Sequence, residues 1–286
     1  MYGRDDMAPM KRLRVLTFNL LSPDHADWPS RRVPIRAELH RLQPDLVALQ
    51  ECVLRAGYDQ VSDVLGEPYE VVQHSARSGD GVGAALASRW PVGEIREIDL
   101  HVTPRVTLPW AAATLVEIAL PQPYGPTLVV HHKPTYEIGF GLERERQAVA
   151  TAQAIEEHLA GRDWHVILLG DFDDTPDSAA MRYWTGRQSL DGTSVAYRDA
   201  WEAVHGDQPG HTFAADNPLT RAGEMALELG RRIDYVLIRS GVHGPSLDVL
   251  DCRLILDSPV NGVWASDHYG VVADLAVPTH RPGAWI

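Results

Sequence analysis

Three carboxylates follow a single short apolar run in the middle of the chain. Residues 166–169 read Val-Ile-Leu-Leu, and a short β-branched run of this kind is typical of a strand buried on both faces. The run ends at Gly170, and Asp171, Asp173 and Asp174 follow it. Such a strand would hold negative charge rigidly at its exposed end, although a simple polar cap on a strand has the same pattern.

Polar residues also stand at the ends of other predicted strands. These strand ends and the turns beside them supply Asn19, Glu51, His132, Asp171, Asp173, Asp234, Asp267 and His268. Oxygen ligands with few sulfur ligands and few paired histidines suit a hard cation such as Mg²⁺ or Mn²⁺ better than zinc. A histidine beside an aspartate transfers protons well near neutral pH. The set therefore predicts a divalent-metal site with acid–base groups beside it.

The elements that must position these residues are mostly strands. Apolar runs predict strands at residues 13–18, 45–50, 69–74, 84–88, 95–102, 111–119, 127–130, 166–169, 233–238, 247–256 and 269–277. The clearest predicted helix is 143–159, where one face carries Ala148, Ala152, Ile155 and Leu159. Shorter helices are predicted at residues 36–42, 57–65 (a polar surface helix), 178–184 and 198–204.

Three segments between these elements are predicted to be loops. Residues 20–34 are rich in Pro, Asp and His. Residues 75–83 are rich in glycine and serine, but they lack the GxxxxGK[ST] pattern and no helix follows, so a hairpin turn is favoured over a phosphate loop. Residues 206–230 are long and irregular, and a loop of that length in a compact domain is often functional.

The bulk composition limits the classes of partner. The 286-residue chain carries a formal net charge of −13, which argues against affinity from a broad basic face on duplex nucleic acid. A small phosphorylated substrate held by a metal remains compatible. Cys52 and Cys252 are too few for a disulfide framework. No run has the character of a signal peptide or the length of a membrane span, so we expect a cytoplasmic monomer without a membrane span or an evident protein partner.

The chain shows no internal linker or repeat. Many strands with a few helices among them predict a single layered α/β domain. We place this domain at residues 12–278, with a flexible tail at 1–11 and a C-terminal tail at 279–286.

Six segments resemble, in this order, the endonuclease/exonuclease/phosphatase superfamily: LTFNL, LQE, GxGAALASRxPV, GDFDxTPDS, RRIDYVL and WASDHYGVVADL. Any one of them is a weak signal, whereas six in order, spanning about residues 13–275, are a strong one. The resemblance implies a four-layer α/β/β/α sandwich of two packed, mostly antiparallel sheets flanked by helices, with the site at one rim.

The resemblance also implies metal and water-activating roles. Glu51 would be the principal ligand of a divalent metal ion, with Asn19 and Asp267 close to the metal or its waters. Asp171 would orient or deprotonate the attacking water.

Three further residues would act on the phosphate. His268 would contact the scissile phosphate, and Asp234 would hold its imidazole. His132 would donate to a phosphoryl oxygen, while His131 would point to the opposite face of a regular strand.

Two positions depart from the family pattern. The family usually has asparagine at position 173, where this chain has aspartate, and an ionised carboxylate only accepts hydrogen bonds. Asp173 beside Asp171 is predicted either to recruit a second metal ion or to have a raised pKa. Lys133, one of two lysines in the chain, is predicted to add a phosphate contact or to lie along the rim. Arg187 lies on a predicted loop, where it is expected either to bind substrate or to occupy an ordinary surface position.

These features together predict a Mg²⁺- or Mn²⁺-dependent phosphoester hydrolase. In-line attack of water increases the negative charge on the phosphoryl and leaving oxygens, which a metal ion and imidazole donors stabilise. We favour a phosphodiesterase or nuclease. The alternative is a phosphomonoesterase acting on a small phosphorylated metabolite, a nucleotide or an inositol phosphate. A catalytically inactive binding protein of the same fold is less favoured, because the whole residue set is retained.

Overall fold

Two seven-stranded sheets form the centre of the protein in the computed structural model, which describes residues 12–228, 230–280 and 282–283. The first sheet contains β1 (Leu13–Asn19), β2 (Leu46–Arg55), β3 (Tyr58–Asp59), β4 (Glu70–Arg77), β5 (Val82–Ser88), β13 (Asp248–Ile255) and β14 (Gly270–Ala276). The second contains β6 (Val92–Asp99), β7 (Ala112–Ala119), β8 (Pro126–Lys133), β9 (His165–Asp171), β10 (Tyr197–Asp199), β11 (Asp234–Gly241) and β12 (Gly244–Pro245). The predicted tail at 1–11 lies outside the described residues, as do 281 and 284–286 of the predicted C-terminal tail.

Each sheet has one parallel pair of strands near its middle, and its other pairings are antiparallel. The strand orders are β13-β14-β1-β2-β5-β4 and β10-β11-β9-β8-β7-β6. The parallel pairs are β1 with β2 and β8 with β9. Parallel neighbours need a crossover connection, which contains helix α1 (Trp28–Leu42) in the first sheet and α3 (Gly141–Leu159) in the second. Because parallel strands run in the same direction, each pair places both of its C-terminal ends on one edge.

The sheets pack face to face, and helices cover their outer faces. Apolar side chains from both sheets share one core, including Val15, Ala48, Leu86, Val129, Ile167 and Val236. Helix α1 packs Ile35 and Leu39 on the outer face of the first sheet. Helix α3 covers the second sheet with the predicted stripe of Ala148, Ala152, Ile155 and Leu159. This arrangement confirms the predicted four-layer sandwich.

Helix α1 begins eight residues earlier than the predicted helix at 36–42 and takes in part of the predicted 20–34 loop. Pro29 lies in its first turn, where a missing N–H costs little, whereas Pro34 lies inside the helix. Burial of Trp28, Arg31 and Ile35 on one side of the helix outweighs the breaking tendency of Pro34.

Other elements differ less from prediction. The polar surface helix predicted at 57–65 is instead β3 followed by α2 (Gln60–Leu65), in which Val61 and Val64 are buried. The helix predicted from residue 198 is β10 followed by α5 (Ala200–His205), which the Asp199 side chain caps. Residues 75–83 form the β4–β5 hairpin, as predicted. The remaining helices are α4 (Ala179–Trp184) and α6 (Pro218–Ala222). Within the described residues, no helix combines the length and apolarity needed to cross a membrane.

Candidate active site

The C-terminal ends of the two parallel pairs meet at one rim of the sandwich. The side-chain amide of Asn19, at the end of β1, donates to Glu51 Oε1 and to Asp171 Oδ2, both at 3.0 Å. Its carbonyl Oδ1 accepts from the backbone N–H of Leu21 at 3.0 Å. Asn19 is fully buried and therefore ties together one acid from each sheet.

Glu51 occupies an irregular position within β2. Its φ angle is +54°, and the pairing with β5 shifts register between Gln50 and Cys52. This is the geometry of a β-bulge, which re-aims a side chain that regular alternation would direct elsewhere. The positive φ is uncommon for a residue with a side chain, and such strain often occurs at functional positions.

Gly170 allows β9 to deliver Asp171 close to β8. A Cβ atom at Gly170, where φ is +151°, would lie 2.1 Å from the carbonyl oxygen of His132. Only glycine avoids that clash with backbone. The glycine before the acid is thus a packing requirement of the parallel β8–β9 pair.

Asp234 and His268 form a second link between the sheets. Asp234 begins β11 and lies directly opposite Asp171 in the antiparallel register. Its Oδ2 lies 2.9 Å from His268 Nδ1, just before the first-sheet strand β14. Burial favours neutral imidazole, but Asp234 and Asp171 outweigh it and raise the pKa of His268 well above its usual value. The raised pKa favours the protonated imidazole, which donates hydrogen bonds from both ring nitrogens.

The turn that carries Asp267 and His268 is held by hydrogen bonds from other segments. The Ser266 hydroxyl donates to the Asn19 carbonyl oxygen at 2.7 Å. The Thr220 hydroxyl donates to the Asp267 carbonyl oxygen, and the Asn217 amide donates to that of Ser266, both at 2.8 Å. The long 206–230 segment thus supports the turn.

Arg31 is a supporting residue that the sequence reasoning missed. Its buried guanidinium donates to five carbonyl oxygens, those of Leu20, Leu21, Ser22, His25 and Ala265. Burial lowers its pKa to about 10, against the attraction of Asp267, Asp27 and Glu51. The residue fixes the loop after β1 beside the acids, and no signal identifies it until helix α1 is known to begin at Trp28.

Lys133 lies between two acids of the second sheet. Its ammonium Nζ donates to Asp171 Oδ2 at 2.9 Å and also to Asp173 Oδ2, and all three residues are buried. We call Lys133, Asp171 and Asp173 the lysine triad. Burial raises the pKa of Asp171, but Lys133 and His268 outweigh it and lower the pKa to about 2. Burial and the charge of Asp171 raise the pKa of Asp173 to about 7, although Lys133 acts in the opposite direction.

Two sequence-predicted site residues lie elsewhere. His132 points away from the rim toward helix α3, where Nδ1 lies 3.1 Å from the Thr151 hydroxyl, and its ring packs on Phe172 and Trp184. The alternation of side chains was predicted correctly, but Lys133 occupies the face that looks into the site. Arg187 pairs with Glu202 in a separate cleft.

The polar rim opens into a cavity of about 640 Å³. One part of its wall is acidic, and another part is apolar and aromatic. The acidic lining comprises Asp24, Glu51, Asp80, Asp171, Asp173, Glu224 and Asp267. The apolar and aromatic lining includes Leu108, Trp110, Tyr136, Phe213, Leu219, Met225 and Ile233. Arg231 also lines the cavity, and it donates to the backbone carbonyl of Asp173 at 2.6 Å.

Glu51 and Asp267 are the residues best suited to hold a metal ion. Both line the cavity, and neither forms an ion pair within the described parts of the chain. Glu51 Oε1 accepts from Asn19, and Asp267 Oδ1 accepts from the Ser266 hydroxyl at 3.2 Å, so both carboxylates keep lone pairs for a cation. This oxygen donor set fits a hard divalent ion.

A second cluster also brings potential ligand atoms together. Atoms of Asp171, Asp234 and His268 lie within 4.8 Å of one another. The Nδ1 atom of His268 already pairs with Asp234 Oδ2 at 2.9 Å, and the raised pKa of His268 favours the imidazolium, whose nitrogens donate hydrogen bonds. We therefore assign this cluster to hydrogen bonding.

Comparison with known proteins places the chain in a family. The Endonuclease/Exonuclease/phosphatase family model matches residues 16–268, and the chain belongs to this family. Members of the family are divalent-metal-dependent enzymes that hydrolyse phosphoester bonds. The chain is therefore a phosphoester hydrolase in this general sense. Among curated proteins, none matches the sequence significantly.

Solved structures share the fold at low sequence identity. D. rerio TDP2, humanized by 14 mutations, is 20% identical with a TM-score of 0.71, and the match covers 93% of this chain and 99% of that one. The human Nocturnin catalytic domain, solved with a bound sulfate anion, is 18% identical with a TM-score of 0.72, covering 96% and 97%. An endonuclease/exonuclease/phosphatase from Bacteroides vulgatus is 20% identical with a TM-score of 0.68, covering 94% and 100%.

Proposed function

We propose that the protein is a phosphodiesterase whose substrate is cleaved at the rim where the two sheets meet. One observation carries the proposal: the Asn19–Asp171 and Asp234–His268 hydrogen bonds cross between the sheets and hold Asp171 and His268 in the wall of one cavity. Each of these groups has a use in phosphoester hydrolysis, and no single strand could supply them all.

Four side chains at the rim have separate roles in the proposed hydrolysis. His268 donates to a phosphoryl oxygen, and Asp234 holds the imidazole in place and keeps it protonated. Asp171 orients the attacking water as a hydrogen-bond acceptor, because a carboxylate with a pKa of about 2 is a weak base at neutral pH. Asn19 keeps Asp171 aligned with Glu51.

Glu51 and Asp267 would hold the metal ion, Mg²⁺ or Mn²⁺. When bound there, it would stabilise phosphoryl charge and lower the pKa of water. We also propose that residues 12–278 form one catalytic domain of a monomeric, cytoplasmic enzyme.

A phosphomonoesterase acting on a small metabolite is the second candidate. The acidic and apolar lining favours it. Apart from Lys133, Arg231 and His268, the wall offers few cationic groups for the flanking phosphates of a polynucleotide. A single phosphate attached to an uncharged organic group suits such a wall better than a polyanion.

A comparison of two chromogenic substrates tests both candidates. With Mg²⁺ or Mn²⁺, we expect the full chain to release p-nitrophenol from bis(p-nitrophenyl) phosphate faster than from p-nitrophenyl phosphate. Preference for the monoester would favour the second candidate. Metal-independent turnover, or no turnover on either ester and on single-stranded oligonucleotides, would contradict the proposed activity.

His268→Gln and Arg187→Ala make a matched pair of variants for the same assay. The first should lower kcat/KM about 100-fold or more, because it removes a donor to the developing charge. The second removes a charge that pairs with Glu202 in a separate cleft, and it should leave kcat/KM close to that of the unaltered chain.

A further inference from the structure

The lysine triad balances negative charge that would otherwise require a bound cation. Asp171 and Asp173 are buried two residues apart, and the Asp173 backbone N–H donates to Asp171 Oδ1 at 3.2 Å. Two buried carboxylates this close repel each other unless a positive group lies between them. The Lys133 ammonium contacts both, so a covalently attached cation already occupies that place.

The neighbouring arginines do not contact these two carboxylates, and the imidazolium of His268 pairs with Asp234. Arg231 donates to the backbone oxygen of Asp173 rather than to its carboxylate. Arg144 pairs with Asp174, with Nε and Oδ1 2.8 Å apart. Within the described residues, Lys133 is therefore the only cationic side chain that forms an ion pair with either carboxylate of the triad.

The Asp171 carboxylate also has little coordinating capacity left. Its Oδ2 accepts from both Asn19 and Lys133, and its Oδ1 accepts from the Asp173 backbone N–H. A carboxylate offers about four lone-pair positions, and three of them are used. A divalent ion at this place would have to displace the ammonium or bind beside it against charge repulsion.

We propose that Lys133 fills the position of a second divalent cation, so that the site binds one metal ion, on the Glu51–Asp267 side. This inference rests on the proposed function only in assuming that the cavity binds a metal at all. It replaces the expectation that Asp173 recruits a second ion, because the Asp173 carboxylate already pairs with Lys133.

Metal stoichiometry tests the proposal without reference to activity. Full-length chain is titrated with Mn²⁺, and bound ions are counted by calorimetry and by the loss of the free-Mn²⁺ electron paramagnetic resonance signal. We expect one ion per unaltered chain. Lys133→Met removes the ammonium but keeps an unbranched side chain, and it should bind two ions. Adding Asp173→Asn to Lys133→Met should return the count to one.

Two further variants locate the single ion. Glu51→Gln should weaken Mn²⁺ binding at least about 10-fold, because it removes a carboxylate ligand. Asp173→Asn alone should leave one ion bound with an affinity close to that of the unaltered chain.

The outcomes separate this inference from the proposed function. Two ions on the unaltered chain, or one ion on a folded Lys133→Met variant, would overturn the role of Lys133 while leaving a metal-dependent hydrolase intact. No binding to the unaltered chain would instead contradict the proposed function. If circular dichroism shows that Lys133→Met does not fold, the ion counts for the other two proteins still test the proposal. Recruitment of a second ion by Asp173 would give two ions on the unaltered chain and one on Asp173→Asn, whereas we expect one ion on each.

Discussion

The two sides of the cavity differ in how their negative charge is balanced. In the lysine triad, and in the Asp234–His268 pair beside it, the fold itself supplies a cationic partner for each acid. Glu51 and Asp267 face the same cavity without an ion-paired partner in the described parts of the chain. The chain therefore balances the acids of the second sheet with its own cations, whereas the charge of Glu51 and Asp267 is left for the metal ion that we propose they hold.

The largest effect should come from the side without an ion pair. Glu51→Gln keeps the shape of the side chain but removes its charge, and we expect kcat/KM to fall about 100-fold or more. The comparison also predicts that excess Mg²⁺ raises the melting temperature of the unaltered chain, because an ion that binds only the folded state stabilises it. That increase should shrink in Glu51→Gln. An equal Mg²⁺-induced increase in both proteins would place the ion elsewhere.

An intermediate effect should come from the Asp234–His268 pair. The pKa of His268 is raised above its usual value by Asp234 and Asp171, against the effect of burial. The imidazolium is thus present at neutral pH, and activity that needs it declines as pH rises through this raised pKa. Asp234→Asn removes the carboxylate with the larger effect on the pKa of His268, so the decline should move to lower pH by about 1–3 units.

The pH dependence of kcat/KM over neutral to alkaline pH measures this shift. His268→Gln provides the control, since it should remove the limb that Asp234→Asn displaces. A decline that stays at the same pH in Asp234→Asn would show that another group titrates.

The smallest effect on activity should come from His132. His132→Phe fits the aromatic surroundings of Phe172 and Trp184 but leaves the Thr151 hydroxyl without its imidazole partner. We expect the free energy of unfolding to fall by about 1–3 kcal/mol, with kcat/KM near that of the unaltered chain. Denaturant unfolding and steady-state kinetics provide the two measurements. A large loss of kcat/KM in a folded variant would show that His132 takes part in catalysis.

Much of the fold and part of the site follow from the sequence. Apolar runs identified most strands, and the periodic stripe on residues 143–159 identified helix α3. Several of the polar residues at strand ends do converge, as the contacts of Asn19, Asp171 and Asp234 show, whereas His132 does not. These inferences succeed because a buried strand leaves a strong local pattern, and its end marks where polar side chains emerge.

The rest depends on relations between distant segments. Alternation along β8 shows that His131 and Lys133 share one face, but only the packing of the two sheets, as in the contact between His131 and Gln50, shows which face looks into the rim. Arg31 is likewise invisible as a support, because its partners come from the loop after β1 and from Ala265. The location of Arg187 in a separate cleft could not be predicted for the same reason, because a position on a loop does not reveal which cleft the loop borders.

The hydrogen bonds that cross the rim have a mechanical consequence. The bonds from Asn19 to Asp171 and between His268 and Asp234 form only within a narrow range of separations of the two sheets. The interior side chains that set this separation, such as Val129 and Ile167, therefore act as spacers for groups at the surface. Replacing one of these interior side chains with a larger or smaller one would change the alignment of the reactive groups even where the protein stays fully folded. The turnover rate would therefore respond to changes in interior packing.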